Sequence, residues 1–188
     1  MSWSDHPNSN PKGWILPVVM VIGIAMRLAM YFSGKSLWSD EFWSLQLVQN
    51  GYWNVFKGAI HDVHPPVYFL ILHTFTKLFG YSELALRLPS LLAGIAVLFG
   101  IYHLTKLLFK EEVALLATGL IGISPYWLQL SNEVRGFGLV ACLVTWATWA
   151  YLKEIKWLYV LLAVTSLFTE HYAWIWFAGL IFMDRRRN

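Results

Sequence analysis

Residues 65–79, Pro-Pro-Val-Tyr-Phe-Leu-Ile-Leu-His-Thr-Phe-Thr-Lys-Leu-Phe, decide the topology of this chain. Fifteen residues in a helix rise by only about 22 Å, at about 1.5 Å per residue. The hydrocarbon core of a bilayer is about 30 Å thick. We therefore predict that this stretch lies in the outer leaflet, or dips into it, without crossing the membrane.

The composition around this stretch is that of an integral membrane protein. Of the 188 residues, 57% are hydrophobic, 17% are aromatic and only 13% are charged, whereas a soluble domain carries about 25% charged residues. The net charge of +3 does not indicate a nucleic-acid partner. The single cysteine, Cys142, lies in an apolar run, which excludes a disulfide framework and a thiolate metal site.

The positive charges decide between two topologies. If residues 65–79 do not cross and the N-terminus is cytoplasmic, the basic groups after each pair of crossings fall inside, as the positive-inside rule requires. If residues 65–79 do cross, the same groups move outside. The sequence therefore predicts an all-α polytopic helical bundle with both termini inside and about six crossings, at residues 14–32, 88–109, 113–130, 137–152, 157–169 and 172–183.

Composition also divides the chain into three parts. We expect residues 1–13, which are rich in Ser, Asn and Pro, to form a disordered cytoplasmic tail. Residues 14–184 form the transmembrane module, and residues 185–188 a basic cytoplasmic end. Within the module, residues 33–87 form an external loop with short amphipathic segments suited to the membrane interface.

Titratable residues gather on the external side in this layout, although they come from distant segments. Charged groups at a bilayer edge are costly, so their clustering indicates a functional site. The cluster comprises Arg27 in the outer half of the first crossing, Asp40, Glu41, Asp62, His64, Glu83, Arg87, Glu133, Arg135, Glu170 and His171.

These residue types suit one kind of chemistry. Carboxylates and neutral imidazoles hold divalent metals, and arginines grip phosphate oxygens with two parallel N–H groups. A carboxylate that stands apart from a metal can act as general base toward a hydroxyl. Together they would move a sugar from a lipid phosphate to an acceptor hydroxyl at the outer membrane face.

The order and spacing of five motifs resemble those of GT-C glycosyltransferases, in particular the protein O-mannosyltransferase and aminoarabinose-transferase branch. The resemblance covers about residues 14–183, nearly the whole chain. The motifs are Asp40-Glu, Asp62-Val-His-Pro-Pro, Phe79-Gly-Tyr-Ser-Glu-Leu-Ala-Leu-Arg-Leu-Pro-Ser, Asn132-Glu-Val-Arg-Gly-Phe and Glu170-His-Tyr.

The resemblance implies a role for most of these residues. It implies that Asp40, with Glu41 beside it, is the catalytic carboxylate near the acceptor. It assigns Arg87 either to lipid phosphate or to holding the loop, whereas the phosphate role of Arg27 and Arg135 rests on their residue type and their position at the bilayer edge. The resemblance implies a divalent metal (Mg, Mn or Zn). The full assignment is catalytic Asp40 and Glu41; phosphate-binding Arg27, Arg87 and Arg135; and metal-binding Asp62, His64, Glu133 and His171. At the first metal position His64 is the rival of Asp62, and shaping the site is the other role of Asp62.

The resemblance also implies partners. The donor would be a polyprenyl-phosphate-linked sugar, bound in contact with membrane lipid. Enzymes of this type continue with further helices, so we expect the C-terminal half to come from a partner chain, to come from a second copy of this chain, or to be absent.

The sequence leaves open two other functions and simpler roles for single residues. The two other functions are a non-catalytic polyprenyl-phosphate-binding subunit and a small transporter or flippase for lipid-linked sugars. An isolated external base favours catalysis, because a carrier does not need one.

The simpler roles are a helix cap for Asp40, loop shaping for His64, an i,i+4 pair for Glu83 and Arg87, an interfacial ion pair for Glu133 and Arg135, a buried histidine for His171, and snorkelling to the interface for Arg27.

Overall fold

The computed structural model describes residues 14–61 and 64–184, with side chains to residue 180. The regular elements of this part are all helices, which confirms the all-α prediction for it. The predicted tail, the basic end and Asp62 lie outside the described residues. The helices are α1 Ile15–Tyr31, α2 Ser39–Val48, α3 Tyr52–His61, α4 Val67–Phe79, α5 Glu83–Leu108, α6 Glu111–Ile123, α7 Pro125–Leu130, α8 Phe137–Leu152, α9 Lys156–Leu167 and α10 Ala173–Asp184.

Helix α5 is the central element and has 26 residues. It begins after Ser82, whose side-chain hydroxyl accepts a hydrogen bond from the backbone N of Ala85 at 3.2 Å. This cap starts the helix more than one turn before the apolar run at residue 88. Among the described helices, α5 alone is both long and apolar enough to cross a membrane. The six crossings therefore stay a prediction.

The longer helices pack at small residues. An ideal Cβ on Gly23 of α1 would lie 3.3 Å from the Cα of Gly122 on α6 and 3.0 Å from Leu98 Cδ1, so the missing side chain of Gly23 lets α1 pack closely here. Between α5 and α8, the Trp146 indole N–H donates to the Ala96 carbonyl oxygen at 3.1 Å. Helices α1, α5, α6, α8 and α9 thus form one packed bundle.

Helices α2, α3 and α4 pack together against the start of α5, and we call them the helical cap. The placement of α4 in the outer leaflet stays a prediction. One backbone hydrogen bond, from Val67 N to the Phe168 carbonyl oxygen at 3.0 Å, joins the start of α4 to the turn between α9 and α10. The buried core of the cap is Val48, Val55, Ala59, Tyr68, Phe69, Leu72, Leu86 and Val134.

Candidate active site

Three of the predicted site residues meet where the helical cap joins the bundle. Asp40 lies in the first turn of α2, His64 precedes α4, and Arg135 precedes α8. Arg135 Nη1 lies 3.4 Å from Asp40 Oδ2, and Arg135 Nη2 lies 2.9 Å from His64 Nε2. The structure thus brings together residues that are up to 95 positions apart in sequence (135 − 40). We call Asp40, His64 and Arg135 the site triad.

The hydrogen bond to Arg135 fixes the state of the imidazole. A guanidinium carries only donors, so its Nη2 donates to His64 Nε2, which must be unprotonated. His64 is therefore neutral in this arrangement, with its proton on Nδ1. Its ring lies between Trp43 and Phe69, with centroids 6.2 and 6.3 Å away.

The side chains of the triad differ in their exposure to solvent. The Arg135 side chain is 12% exposed, and its guanidinium carbon lies 5.6 Å from the centre of the Phe137 ring. The Asp40 side chain is 46% exposed. The carboxylate can therefore be reached from solvent, while the cation that holds it is largely enclosed.

Glu41 is a structural residue in this fold. Its buried carboxylate lies 3.1 Å from Arg87 Nη2, and it also accepts a hydrogen bond from Val134 N at 2.8 Å. A third donor, Trp38 N at 3.3 Å, completes a helix cap for α2. We call this arrangement the carboxylate clasp. Both oxygens of Glu41 are thus occupied by protein donors, and a catalytic role for Glu41 stays a prediction.

Arg87 holds the loop. Besides Glu41, it donates to the Ser36 carbonyl oxygen at 3.4 Å. Its ion pair is with Glu41 across 46 residues of sequence and not the i,i+4 pair with Glu83 that the sequence left open. Of the two roles implied for Arg87, the structure therefore supports holding the loop, and a phosphate contact stays a prediction.

Arg27 is completely buried, so its guanidinium does not snorkel to the interface. Its Nε donates to Ser131 Oγ at 3.1 Å. Its Nη groups donate to the carbonyl oxygens of Gly23, Gly122 and Ile121 at 2.9, 3.1 and 3.3 Å. Arg27 thus fastens α1 to the end of α6, and the structure lends no support to its predicted phosphate contact.

The predicted metal ligands do not form a metal site in the part of the chain that the structure describes. There, no group of three His, Cys, Asp or Glu side chains lies close enough to hold a metal ion. Glu133 Oε1 accepts from Gln129 Nε2 at 2.6 Å, His171 is exposed, and His64 bonds to Arg135. Asp62 lies outside the described residues. The metal stays a prediction.

Two further residues border the triad without having been assigned a role from the sequence. Glu170 is buried, and burial raises the pKa of its carboxyl to about 7, while the positive charge of Arg135 opposes this shift. A Cβ on Gly136 would lie 2.7 Å from Glu170 Oε1, so this carboxyl lies directly against the backbone that follows Arg135. The signal in the sequence was a carboxylate at a break between two apolar runs.

Tyr68 carried no such signal, because it looks like an ordinary residue of an apolar run. Its side chain is buried in the core of the cap, and its hydroxyl lies 3.5 Å from Ser90 Oγ. Burial raises the pKa of this phenol. Ser90 in turn donates to the Glu133 carbonyl oxygen, so Tyr68 connects α4 to the loop that carries Arg135.

The family model of dolichyl-phosphate-mannose-protein mannosyltransferases matches residues 63–183, more than half of the chain. The chain belongs to this family. The GT-C relationship predicted from the motifs is confirmed. No curated protein and no solved structure matches the chain.

Membership in the mannosyltransferase family identifies the chain as a membrane glycosyltransferase in broad terms. The matched range contains two members of the triad, His64 and Arg135, together with Glu170. Asp40 and Glu41 precede it. The structure is therefore what connects the acidic pair of the first loop to the part of the chain that defines this mannosyltransferase family.

Proposed function

We propose that this chain is a GT-C-type mannosyltransferase that moves a sugar from a polyprenyl-phosphate donor to an acceptor hydroxyl at the extracytoplasmic membrane face. The observation that supports it most strongly is the contact of Arg135 with both Asp40 and His64. A carboxylate that can act as base, an imidazole and a guanidinium that can bind phosphate therefore lie together in a chain of the mannosyltransferase family.

Two residues of the triad, Asp40 and Arg135, act directly in the reaction. The Asp40 carboxylate takes the proton of the acceptor hydroxyl. The acceptor oxygen forms a bond to the anomeric carbon of the sugar, and the bond from that carbon to the phosphate oxygen breaks. The phosphate leaves with the electron pair, and Arg135 stabilises the charge that develops on it.

In this proposal the clasp and Arg27 hold the site in place. Glu41 and Arg87 fix the start of α2, and Arg27 fixes α1 against α6. They are positioning residues, because their polar atoms are bound to the protein itself.

We further propose six crossings, with both termini inside and α4 at the outer leaflet. Helix α5 supports this: its first residue lies beside the helical cap, and its far end, about 39 Å away by helix rise, carries Lys106. Cysteines at Gly80 and Lys110 in intact cells test it. We expect labelling by a membrane-impermeant maleimide at Gly80 only; labelling at Lys110 would contradict the topology.

The activity is tested in membranes that contain the full chain. They are incubated with polyprenyl-phosphate mannose labelled in the sugar, and we expect labelled sugar to leave the lipid fraction as polyprenyl phosphate forms. Asp40→Asn preserves the size and shape of the side chain and removes its charge, and the cap of α2 stays intact because Glu41 supplies it. We expect this variant to lower transfer by roughly 10²–10⁴-fold, as for loss of a general base. The matched control, Glu83→Gln, changes an exposed carboxylate at the start of α5 and should transfer normally.

The other outcomes each identify a different function. Normal transfer by Asp40→Asn would mean that Asp40 is not the base. Binding of the donor by wild type without release of sugar would indicate a polyprenyl-phosphate-binding subunit. Movement of the intact labelled lipid across the bilayer would indicate a flippase.

A further inference from the structure

The Arg135 guanidinium holds the two groups of the triad that can accept a proton. Nη1 lies 3.4 Å from Asp40 Oδ2, and Nη2 donates to His64 Nε2 at 2.9 Å. A phosphate held bidentately needs two parallel N–H groups of the same guanidinium. A phosphate that binds across Nη1 and Nη2 therefore competes with Asp40 and His64, because each of these nitrogens already faces one of them.

We propose that the donor phosphate displaces both groups, so that Asp40 and His64 are released only when the donor is bound. This inference rests on the proposed function and adds an order to it: donor first, deprotonation of the acceptor second. Arg135 is then both the phosphate contact and the residue that masks the base.

The contacts favour displacement over simple addition. The Arg135 side chain is largely enclosed, which limits approach to the guanidinium from other directions. Its contact with Asp40 is long and involves a half-exposed carboxylate, so solvent screens it. A phosphate bound by two short charge-assisted hydrogen bonds replaces such a contact readily.

Masking also has a chemical consequence. While Arg135 Nη1 faces Asp40 Oδ2, that oxygen is turned toward a cation and not toward an acceptor hydroxyl. The lone pair on His64 Nε2 is likewise occupied while Arg135 donates to it. When the phosphate takes over Arg135, both lone pairs are released in the same step. Proton transfer from the acceptor hydroxyl to Asp40 Oδ2 then follows binding of the donor.

The test uses the full chain in lipid nanodiscs with ¹⁵N-labelled histidine. The Nε2 signal of His64 is assigned by its loss in His64→Gln and followed as polyprenyl phosphate is added. We expect this signal to move to a new position at saturation. In Arg135→Met, the His64 Nε2 signal should differ in position from the wild-type signal before polyprenyl phosphate is added. The affinity of this variant for polyprenyl phosphate should fall at least tenfold. Arg135→Lys, which retains one charge without the fork, covers the case in which Arg135→Met does not fold.

A second measurement is independent of the histidine signal. Asp40→Asn removes the competing carboxylate, so we expect polyprenyl phosphate to bind several-fold more tightly. Glu83→Gln removes the same charge from an exposed position and should change the affinity less.

The outcomes separate this inference from the proposed function. Binding of polyprenyl phosphate with an unmoved His64 signal and unchanged affinity in Asp40→Asn would overturn the displacement and leave the function standing. A folded chain that does not bind polyprenyl phosphate would overturn the function itself. An equal response to inorganic phosphate at the same concentration would overturn the lipid donor as the displacing group.

Discussion

Glu41 Oε1 accepts a hydrogen bond from the backbone N of Val134 at 2.8 Å, across 93 residues of sequence. The neighbours of these two residues are Asp40 and Arg135, which form the ion pair of the site triad. The carboxylate clasp therefore sets the distance between the proposed base and the proposed phosphate ligand. Its buried partner, Arg87, supplies the charge that makes a buried carboxylate acceptable at this position.

We predict that Glu41→Gln destabilises the protein by about 3 kcal/mol or more, because it leaves the buried Arg87 charge without its partner. For a chain of this size the melting temperature should fall by roughly 10 °C, as measured by thermal unfolding in detergent. Adding Arg87→Met should recover part of the loss, since the unpaired charge is then gone. An equal loss in Asp40→Asn, where the carboxylate is half-exposed, would contradict this explanation.

Arg27→Met should also destabilise the protein, by roughly 3 kcal/mol. The change leaves the carbonyl oxygens of Gly122 and Ile121 without their donor and loosens α1 from α6. Thermal unfolding measures the loss, and titration with polyprenyl phosphate at low temperature should show nearly unchanged affinity. A tenfold weaker affinity in folded protein would instead restore Arg27 as a phosphate contact.

Gly136→Ala should slow sugar transfer, because the added methyl group would overlap the Glu170 carboxyl and displace it or the loop that carries Arg135. The backbone itself is not the obstacle, since Gly136 has φ −68°, which alanine adopts easily. Gly51→Ala, where nothing lies within 4 Å of the added atom, is the matched control. Recovery of rate in the double variant Gly136→Ala/Glu170→Ser would identify the overlap as the cause.

The stability of the fold should depend on the ionisation of Glu170. Burial raises the pKa of this carboxyl from its ordinary value of 4.5 to about 7, so the folded state binds the proton more tightly than the unfolded state. Stability from this group is therefore complete below about pH 4.5 and declines as the pH rises toward 7. The melting temperatures of Glu170→Gln and wild type are measured between pH 5 and 8. We expect the melting temperature of the variant to rise relative to that of wild type as the pH increases. A constant difference would mean that Glu170 does not titrate in this range.

Much of the helical architecture could be predicted from hydrophobicity alone. The apolar runs predicted as crossings correspond to α1, α5, α6 with α7, α8, α9 and α10, because burial of apolar side chains determines where helices form in such a chain. The start of α5 was missed because its first turn contains Glu83 and Arg87, which hydrophobicity treats as loop. Ser82 is the cap that identifies the helix start.

The site was predictable as a group of residues but not as a set of pairs. Topology alone placed Asp40, His64 and Arg135 on one face, and the structure brings them into contact. The sequence could not show that Arg87 contacts Glu41. The i,i+4 rule concerns neighbours on one helix, whereas this pair joins two helices. Nor could the sequence show that Arg27 points into the bundle, since an arginine in an apolar helix can either snorkel or bind carbonyl oxygens.

The hydrogen bond from Val67 to Phe168 has a consequence for the evolution of the chain. Pro65 and Pro66 have no N–H, so Val67 is the first backbone donor after His64, and one added or deleted residue there would shift His64 relative to Arg135. Around Gly51 and Gly80 the backbone is open, with nothing within 4 Å of an added Cβ. We therefore expect relatives to differ in length at those two turns and to keep the interval from His64 to Val67 constant.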